Sequence, residues 1–429
     1  MLLSYRCLLR SSQTSRLNFH RFIYDQYSTL SSSRREQVTI PCRSNGHITL
    51  SLFHPLVASG PALPIILYLP PGPLLPAAFP AVNVGAALSA VTSATVVQIN
   101  YRCSQEHRYP TPVHDVLTGY DWVLEHLVST KAFYRPGRDF NQRVKLGVCG
   151  ELLGGSLAAM LTLTECRLQG PYMAAAAINE PVLDWVFPEE NEIEYETVEE
   201  QFSSFVERLQ RGRRPKTKAK LRSNSFSTFA DNEVLSASAL LKARHSLFRR
   251  PEDYFDTFAS PMFNFRSPGV AVPSPQPKTP ADEFAELSLL ERDDFHRQQM
   301  KMSSLSYRLQ NPVKQADDLV HSKKPRKSHK RWPNAGSGLR IPQMRISSAV
   351  TSPLSDQAEE FARLIQRSIV QQEIRTVAAE GDEMAKEAAY MLAERQIYHR
   401  QPEALQLWSL GQTQDLQHIA HWFEQVLRQ

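Results

Sequence analysis

A length of 429 residues allows one large or two ordinary domains, and a 42% hydrophobic share is enough for a sizeable core. The formal charge of +5 comes from an N-terminal segment and two basic runs rather than from the body of the chain, so no nucleic-acid partner is expected. No apolar run reaches about 18 residues, which argues against a transmembrane segment. Cys7, Cys42, Cys103, Cys149 and Cys166 are widely spaced with no CxxC pair, so neither a zinc ribbon nor a dithiol centre is expected and a reducing compartment is the default.

Residues 1–35 read as a mitochondrial presequence. Arg6, Arg10, Arg16 and Arg21 stand among several serines, with no acidic residue before Asp25. Leu2, Leu3, Leu8, Leu9, Leu17, Phe19 and Phe22 could line the apolar side of an amphipathic helix. A secretory signal would need a continuous apolar run, which Arg6 and Arg10 interrupt. The expected location is therefore mitochondrial, with cytoplasm or nucleus as the alternative.

Residues 36–184 alternate short apolar runs with helical patterns, the signature of a mostly parallel sheet with helices on both faces. Ile48 to Phe53 alternates like an edge strand, and Ile65 to Leu69, Ala94 to Ile99, Val144 to Val148 and Ala174 to Ile178 read as buried strands. Thr111 to Val128 and Gly155 to Cys166 have the helical period. Residues 185–265 read as a helical cap over the sheet's carboxyl edge, with an acidic stretch at Glu189 to Leu209 and a basic run from Arg213. Residues 266–338 are rich in proline, serine and charge, ending in KKPRKSHKR at Lys323 to Arg331, and suit a disordered linker. Residues 339–429 return to the sheet. A strand is expected at Gln343 to Val350, a helix at Gln357 to Ile369, a further strand at Gln372 to Val377, and closing helices at Glu383 to Gln396 and Gln414 to Leu427.

The run YRCSQEHRYPTPVHDV from Tyr101 resembles the hormone-sensitive lipase-like family of α/β-hydrolases, whose members carry YRLAPEHPFPAALEDV there. Tyr101, Arg102, Glu106, His107, Pro110, Asp115 and Val116 agree. The similarity covers most of residues 45–185 and, more weakly, 260–265 and 340–429. It implies an α/β-hydrolase fold with a helical cap, and no cofactor.

The chemistry that the resemblance implies is missing from the matching positions. The family's nucleophile elbow, GDSAGG, falls on Gly150, Glu151, Leu152, Leu153, Gly154 and Gly155, so Leu152 takes the serine position. The HGGG loop that supplies oxyanion-hole N–H groups falls on Pro70, Pro71, Gly72 and Pro73, where only Gly72 retains a donor. The acid motif D-x-L-x-D falls on Ser352, Pro353, Leu354, Ser355 and Asp356, with Ser352 in the orienting position and Asp356 left as a helix N-terminal residue. Two registers for the histidine reach Met384 and Gln414. The resemblance thus points to a pseudoenzyme, in which Pro70, Pro71, Gly72, Pro73, Glu151, Leu152 and Leu153 line an apolar pocket floor for a small apolar ligand, or the surface serves a protein partner.

The alternative is an ester hydrolase with relocated residues, drawn from Ser156, Cys149, His107, His114, His418 and His421. Each has a structural explanation: a position one turn along a helix, a core thiol, a scaffold motif, a helix face without a third metal ligand. A regulatory role for the basic runs at Arg213 to Arg222 and Lys323 to Arg331 lacks the interleaved aromatics that stack on bases. Ser267, Ser274 and Thr279 precede prolines and suit phosphorylation. Oligomeric state stays open at this point.

Overall fold

The computed structural model describes residues 34–42, 46–55, 64–75, 82–128, 144–168, 172–187, 225–268, 332–334, 336–377, 383–411 and 413–428. Among them, eight strands form one sheet in the order β1-β2-β4-β3-β5-β6-β7-β8. They are β1 (Arg34–Pro41), β2 (His47–His54), β3 (Ile65–Leu69), β4 (Thr95–Asn100), β5 (Lys145–Glu151), β6 (Tyr172–Asn179), β7 (Gln343–Ser347) and β8 (Ile397–Arg400). β2 runs antiparallel to β1 and β4, and every other pairing is parallel. All five residues of β3 are buried, because a parallel strand covered on both faces has no solvent side to alternate toward.

The helices divide between the two faces. α1 (Val84–Thr92) begins where the Asn83 side chain accepts from the Ala86 N–H at 3.1 Å. It packs with α8 (Thr413–Arg428), whose Leu416, Ile419, Ala420, Phe423 and Leu427 recur at helical spacing and are buried on one face of the sheet. α2 (Thr111–His126), α3 (Leu152–Thr164), α6 (Ser355–Val377) and α7 (Glu383–Gln396) place their buried residues in the core of the other face. The described part of the cap contributes α4 (Ser225–Thr228), α5 (Ala237–Leu247) and 3-10 turns at Pro251–Phe255 and Pro261–Asn264. α5 packs on the turn Gly72–Leu74 beyond β3, which puts it over the sheet's carboxyl end.

Four expectations from the sequence need correction. Ile48 to Phe53 is not the edge: β1 pairs with β2 along its whole length, from Arg34 opposite His54 to Pro41 opposite His47. Its start at Arg34 also lies two residues inside the segment read as a leader. Gln372 to Val377 is not a strand but the last turns of α6, which continue the helix begun upstream, where Phe361, Ile365 and Ile369 form a buried stripe at four-residue spacing. The strand beside β7 is instead β8, which follows α7 directly. Packing against the core begins within the segment 266–338 read as a linker: the Trp332 indole N–H donates to the Leu163 carbonyl at 3.2 Å, and its backbone N–H to Ser368 Oγ at 3.0 Å. The leader up to residue 33, the acidic stretch, both basic runs and most of the segment read as a linker lie outside the described residues.

Candidate functional site

The order of the strands makes β3 the point at which the chain reverses its direction of travel across the sheet, since β4 lies on one side of it and β5 on the other. In open α/β sheets the crevice beyond the carboxyl ends at such a point is where ligands bind. Here it is bounded by the turn after β3 and by the junction of β5 with α3. That junction has no loop: Glu151 ends the strand and Leu152 begins the helix. Leu152 takes φ of 50°, a left-handed conformation that ordinarily costs a non-glycine residue about 1–2 kcal/mol. The turn is so tight that a Cβ on Gly150 would stand 2.3 Å from the Gly154 carbonyl oxygen, and one on Gly154 would stand 2.2 Å from that of Leu69. A sharp elbow is therefore intact, but the side chain at its tip is fully buried hydrocarbon with no atom able to attack or carry a proton.

Opposite the elbow, Leu153 packs on Gly72, its Cδ2 3.0 Å from where a Cβ of Gly72 would stand. Gly72 has φ of 73° and starts the turn capped by α5. The Pro70 carbonyl accepts from the Tyr101 hydroxyl at 2.6 Å, and Pro70, Pro71 and Pro73 have no N–H to offer a developing oxyanion. The rest of the Tyr101 motif is also scaffold. Arg102 binds Asp115 through Nη2 at 2.7 Å and Nε at 2.9 Å, while its backbone N–H reaches the same carboxylate at 2.9 Å.

Two buried carboxylates occupy the ends of the central strands. Glu151 accepts from the Trp408 and Ser409 N–H groups, the latter at 3.1 Å, and from Asn179 Nδ2 at 3.3 Å. Burial pushes its carboxyl up to about 7, against these hydrogen bonds. Glu180, directly after β6 and with φ of 45°, accepts from the Ala349 N–H at 2.5 Å and from the Ser352 hydroxyl. Burial, reinforced by Glu151, pushes it to about 7 as well. Its Oε2 has no hydrogen-bond partner among the described residues. Ser352, where the resemblance would put an aspartate, thus serves a carboxylate from the neighbouring strand. Glu180 is a functional-looking residue that the sequence reading missed, although its charge stands directly between the apolar run of β6 and Pro181.

No histidine follows β8, since Gln401 to Leu407 contains none. Met384 is 80% exposed on α7, and Gln414 is exposed at the start of α8, so neither stands at the carboxyl end of a strand. His399, within β8 itself and not singled out from sequence, has Nε2 3.3 Å from Ser348 Oγ, with its pKa lowered by burial. β8 is the third strand from β5, about 14 Å away at ordinary strand spacing. The other candidates are dispersed. Ser156 Oγ donates to the Ala259 carbonyl at 3.4 Å, tying α3 to the cap; Cys149 is fully buried with its thiol pKa raised by burial. His114, His418 and His421 are exposed, His107 is partly so, and Asp356 accepts from the Ser225 N–H at 2.7 Å.

Aromatic side chains fill the space between elbow and cap. Phe248 of the cap lies 5.4 Å from both Tyr109 and Trp185, and Phe187 stacks on Phe226 at 4.7 Å between ring centres. The buried Arg244 places its guanidinium 5.2 Å from the centre of the Tyr254 ring. Beside Leu153, Ser156 and Trp185 the cavity left among the described residues is about 20 Å³, room for roughly one water, whereas small-molecule sites run to roughly 300–1,000 Å³.

Residues 77–273 match a family model described as alpha/beta hydrolase fold. No curated protein matches the chain. Among solved structures, carboxyl esterase 2 from the mycorrhizal fungus Tuber melanosporum is similar over 92% of this chain and 89% of its own, with 14% identity and a TM-score of 0.51. An esterase from Pyrobaculum calidifontis covers 90% of this chain and 94% of its own at 16% identity and a TM-score of 0.45. A thermostable esterase from Pseudomonas putida covers 93% and 83%, at 15% identity and a TM-score of 0.48.

Proposed function

We propose, from the premise that this chain is an α/β-hydrolase-fold protein of the hormone-sensitive lipase-like type, that it does not hydrolyse esters and acts by binding. The observation that carries this reading is Leu152, buried at the tip of an intact elbow where the reaction requires a nucleophile. Three further features support it: the proline-rich turn facing the elbow, Ser352 engaged by Glu180, and a loop after β8 without a histidine. A cavity of about 20 Å³ favours a protein partner over the apolar small molecule that an open pocket would admit. The competing reading, an ester hydrolase with non-standard residues, would need a base and nucleophile in contact at the crevice. Ser348, just after β7, and His399 of β8 are in contact but lie away from the elbow, with Ser348 fully buried.

The test is turnover of p-nitrophenyl butyrate by the purified full chain. The expected rate equals the buffer blank, and Leu152→Ser leaves it there, because a restored hydroxyl without a base does not recover a unit whose members act together. Turnover above the blank by the wild-type chain, or a large gain from Leu152→Ser, would overturn the reading.

We also propose import into mitochondria through the basic N-terminal segment, with processing before Arg34 so that β1 keeps its pairing with β2. A fluorescent fusion to residues 1–40 should enter mitochondria and lose that ability when Arg6, Arg10, Arg16 and Arg21 become glutamine. Diffuse or nuclear signal from the unaltered fusion sinks this proposal.

A further inference from the structure

The sheet face that packs on α8 carries a polar row at its carboxyl end. Glu151, Asn179, Ser347 and Arg400 stand side by side across β5, β6, β7 and β8, each in register with the next. Two residues back along the strands, Cys149, Ala177, Arg345 and Tyr398 are likewise in register and, because side chains alternate along a strand, lie on the same face. Met344 and Ile346, between them on β7, belong to the core of the other face. Two arginines here share one acid. Arg400 pairs closely with Asp415 Oδ1, and the Trp408 indole N–H donates to Asp415 Oδ2 at 3.0 Å. Arg345 reaches that carboxylate only at 3.9 Å, although its side chain is just 13% exposed, and its Nε is buried with no hydrogen-bond partner among the described residues. The hydroxyl of Ser347, fully buried, has no partner among them either. Asn179 does not serve it, since its side-chain N–H groups donate to Glu151 Oε1 and to the Gln406 carbonyl.

We propose that Arg345, Ser347 and Arg400 form a binding site for the carboxylate group of a small monoanion. Buried donors in folded proteins are as a rule met by an acceptor, and here two neighbouring donors, Arg345 Nε and Ser347 Oγ, are met by none among the described residues. A carboxylate brings two oxygens, one for each. Charge sets the valence of the ligand: two guanidinium groups against the single carboxylate of Asp415 leave one positive charge over, which a monoanion neutralises and a phosphate dianion overshoots. Asp415 lies in the first turn of α8, so the positive end of that helix faces the same place. The ring of Tyr398 stands 5.7 Å from the Arg345 guanidinium and is itself exposed, which marks the side on which a ligand enters. The site is separate from the elbow, because Leu152 and Leu153 belong to the core of the opposite face.

Saturation-transfer NMR on the methyl group of acetate, with the full chain at constant ionic strength, tests this. Acetate should bind saturably with a Kd of about 1–10 mM, and formate should displace it at least about tenfold more effectively than inorganic phosphate. Arg345→Met should remove detectable binding. Ser347→Ala should weaken it on the order of tenfold, the share of one hydrogen bond to a charged group. Arg395→Gln, which removes an exposed arginine on α7, should change nothing. Thermal melts check the fold, and Arg345→Met should melt as the wild type does, since Asp415 keeps Arg400 and Trp408. If that variant does not fold, Ser347→Ala decides. No saturation by about 100 mM acetate overturns the proposal. So does binding indifferent to Ser347→Ala, an equal loss in Arg395→Gln, or phosphate that displaces acetate as well as formate does.

Discussion

At the scale of single residues, the carboxyl ends of β5 and β6 are occupied by the fully buried side chains of Glu151, Leu152 and Glu180. Leu152 keeps the left-handed backbone of an elbow, about 1–2 kcal/mol of strain, and offsets it with a fully buried side chain worth roughly 1.5–3 kcal/mol. The carboxylates of Glu151 and Glu180 accept from backbone N–H groups of the loops after β8 and β7 and so hold those loops to the sheet. These carboxyls give a measurable pH dependence. Each titrates near 7 in the folded chain but near its ordinary 4.5 when unfolded, so between those values the folded state holds protons that the unfolded state has released. Their contribution is fully present below about pH 4.5 and declines as pH rises toward 7, by up to about 3 kcal/mol for each group. Glu180→Gln keeps the oxygen that accepts from Ala349 and abolishes the titration. Urea unfolding at pH 5 and at pH 7 should then show a smaller decline than wild type, the remainder coming from Glu151 and from Asp184, which burial raises to about 6. An unchanged decline would mean that Glu180 is ionised throughout this range. Glu151 was visible from sequence within the elbow motif, whereas the role of Glu180 depends on Ala349 and Ser352, which are far away in the chain.

At the scale of elements, the Tyr101 motif persists because it locks β4 to α2. Asp115 is fully buried and receives both arms of Arg102, together with the Arg102 backbone N–H. Asp115→Ala leaves a largely buried guanidinium without its counter-charge, a loss of about 3–5 kcal/mol, which should appear as a fall in the urea midpoint larger than any exposed substitution on α2 produces. A fall of under about 1 kcal/mol would show that Arg102 finds water instead. The elements most legible in the sequence are those whose burial is complete. Ile65 to Leu69 and Ala174 to Ile178 are short, wholly apolar and bounded by prolines or polar residues, so their pattern admits few other readings. β1 was missed because it is almost wholly exposed, and α1 because its glycine, alanines and serine give little periodic contrast. Gln372 to Val377 misled through β-branched residues whose helical state is imposed by the buried stripe of α6 upstream. The register that reaches Met384 was counted from that strand and loses its starting point with it.

At the scale of the whole molecule, the chain leaves the sheet after Asn179 and returns to it at Gln343, so the last two strands are held by pairing and packing rather than by continuity. β7 is in register with β6 over Ala175 to Asn179, and β8 extends the same sheet. α6 and α7 bury Phe361, Ile365 and Ala393 on one face, while α8 buries Phe423 and Ile419 on the other. Composition makes residues 269–331, with few apolar side chains and many lysines and arginines, the expected site of first cleavage by trypsin. Limited digestion should give two fragments that co-elute in gel filtration, because burial on two faces of a shared sheet outweighs the loss of one covalent link. They should part only in denaturant, and together, since neither the strands before the excursion nor those after it form a closed core alone. Fragments that separate in native buffer would show that β7 and β8 belong to an independent unit. First cleavage inside α5 or the Pro251–Phe255 turn would show that the cap, rather than the excursion beyond Arg266, is the weakest part of the fold.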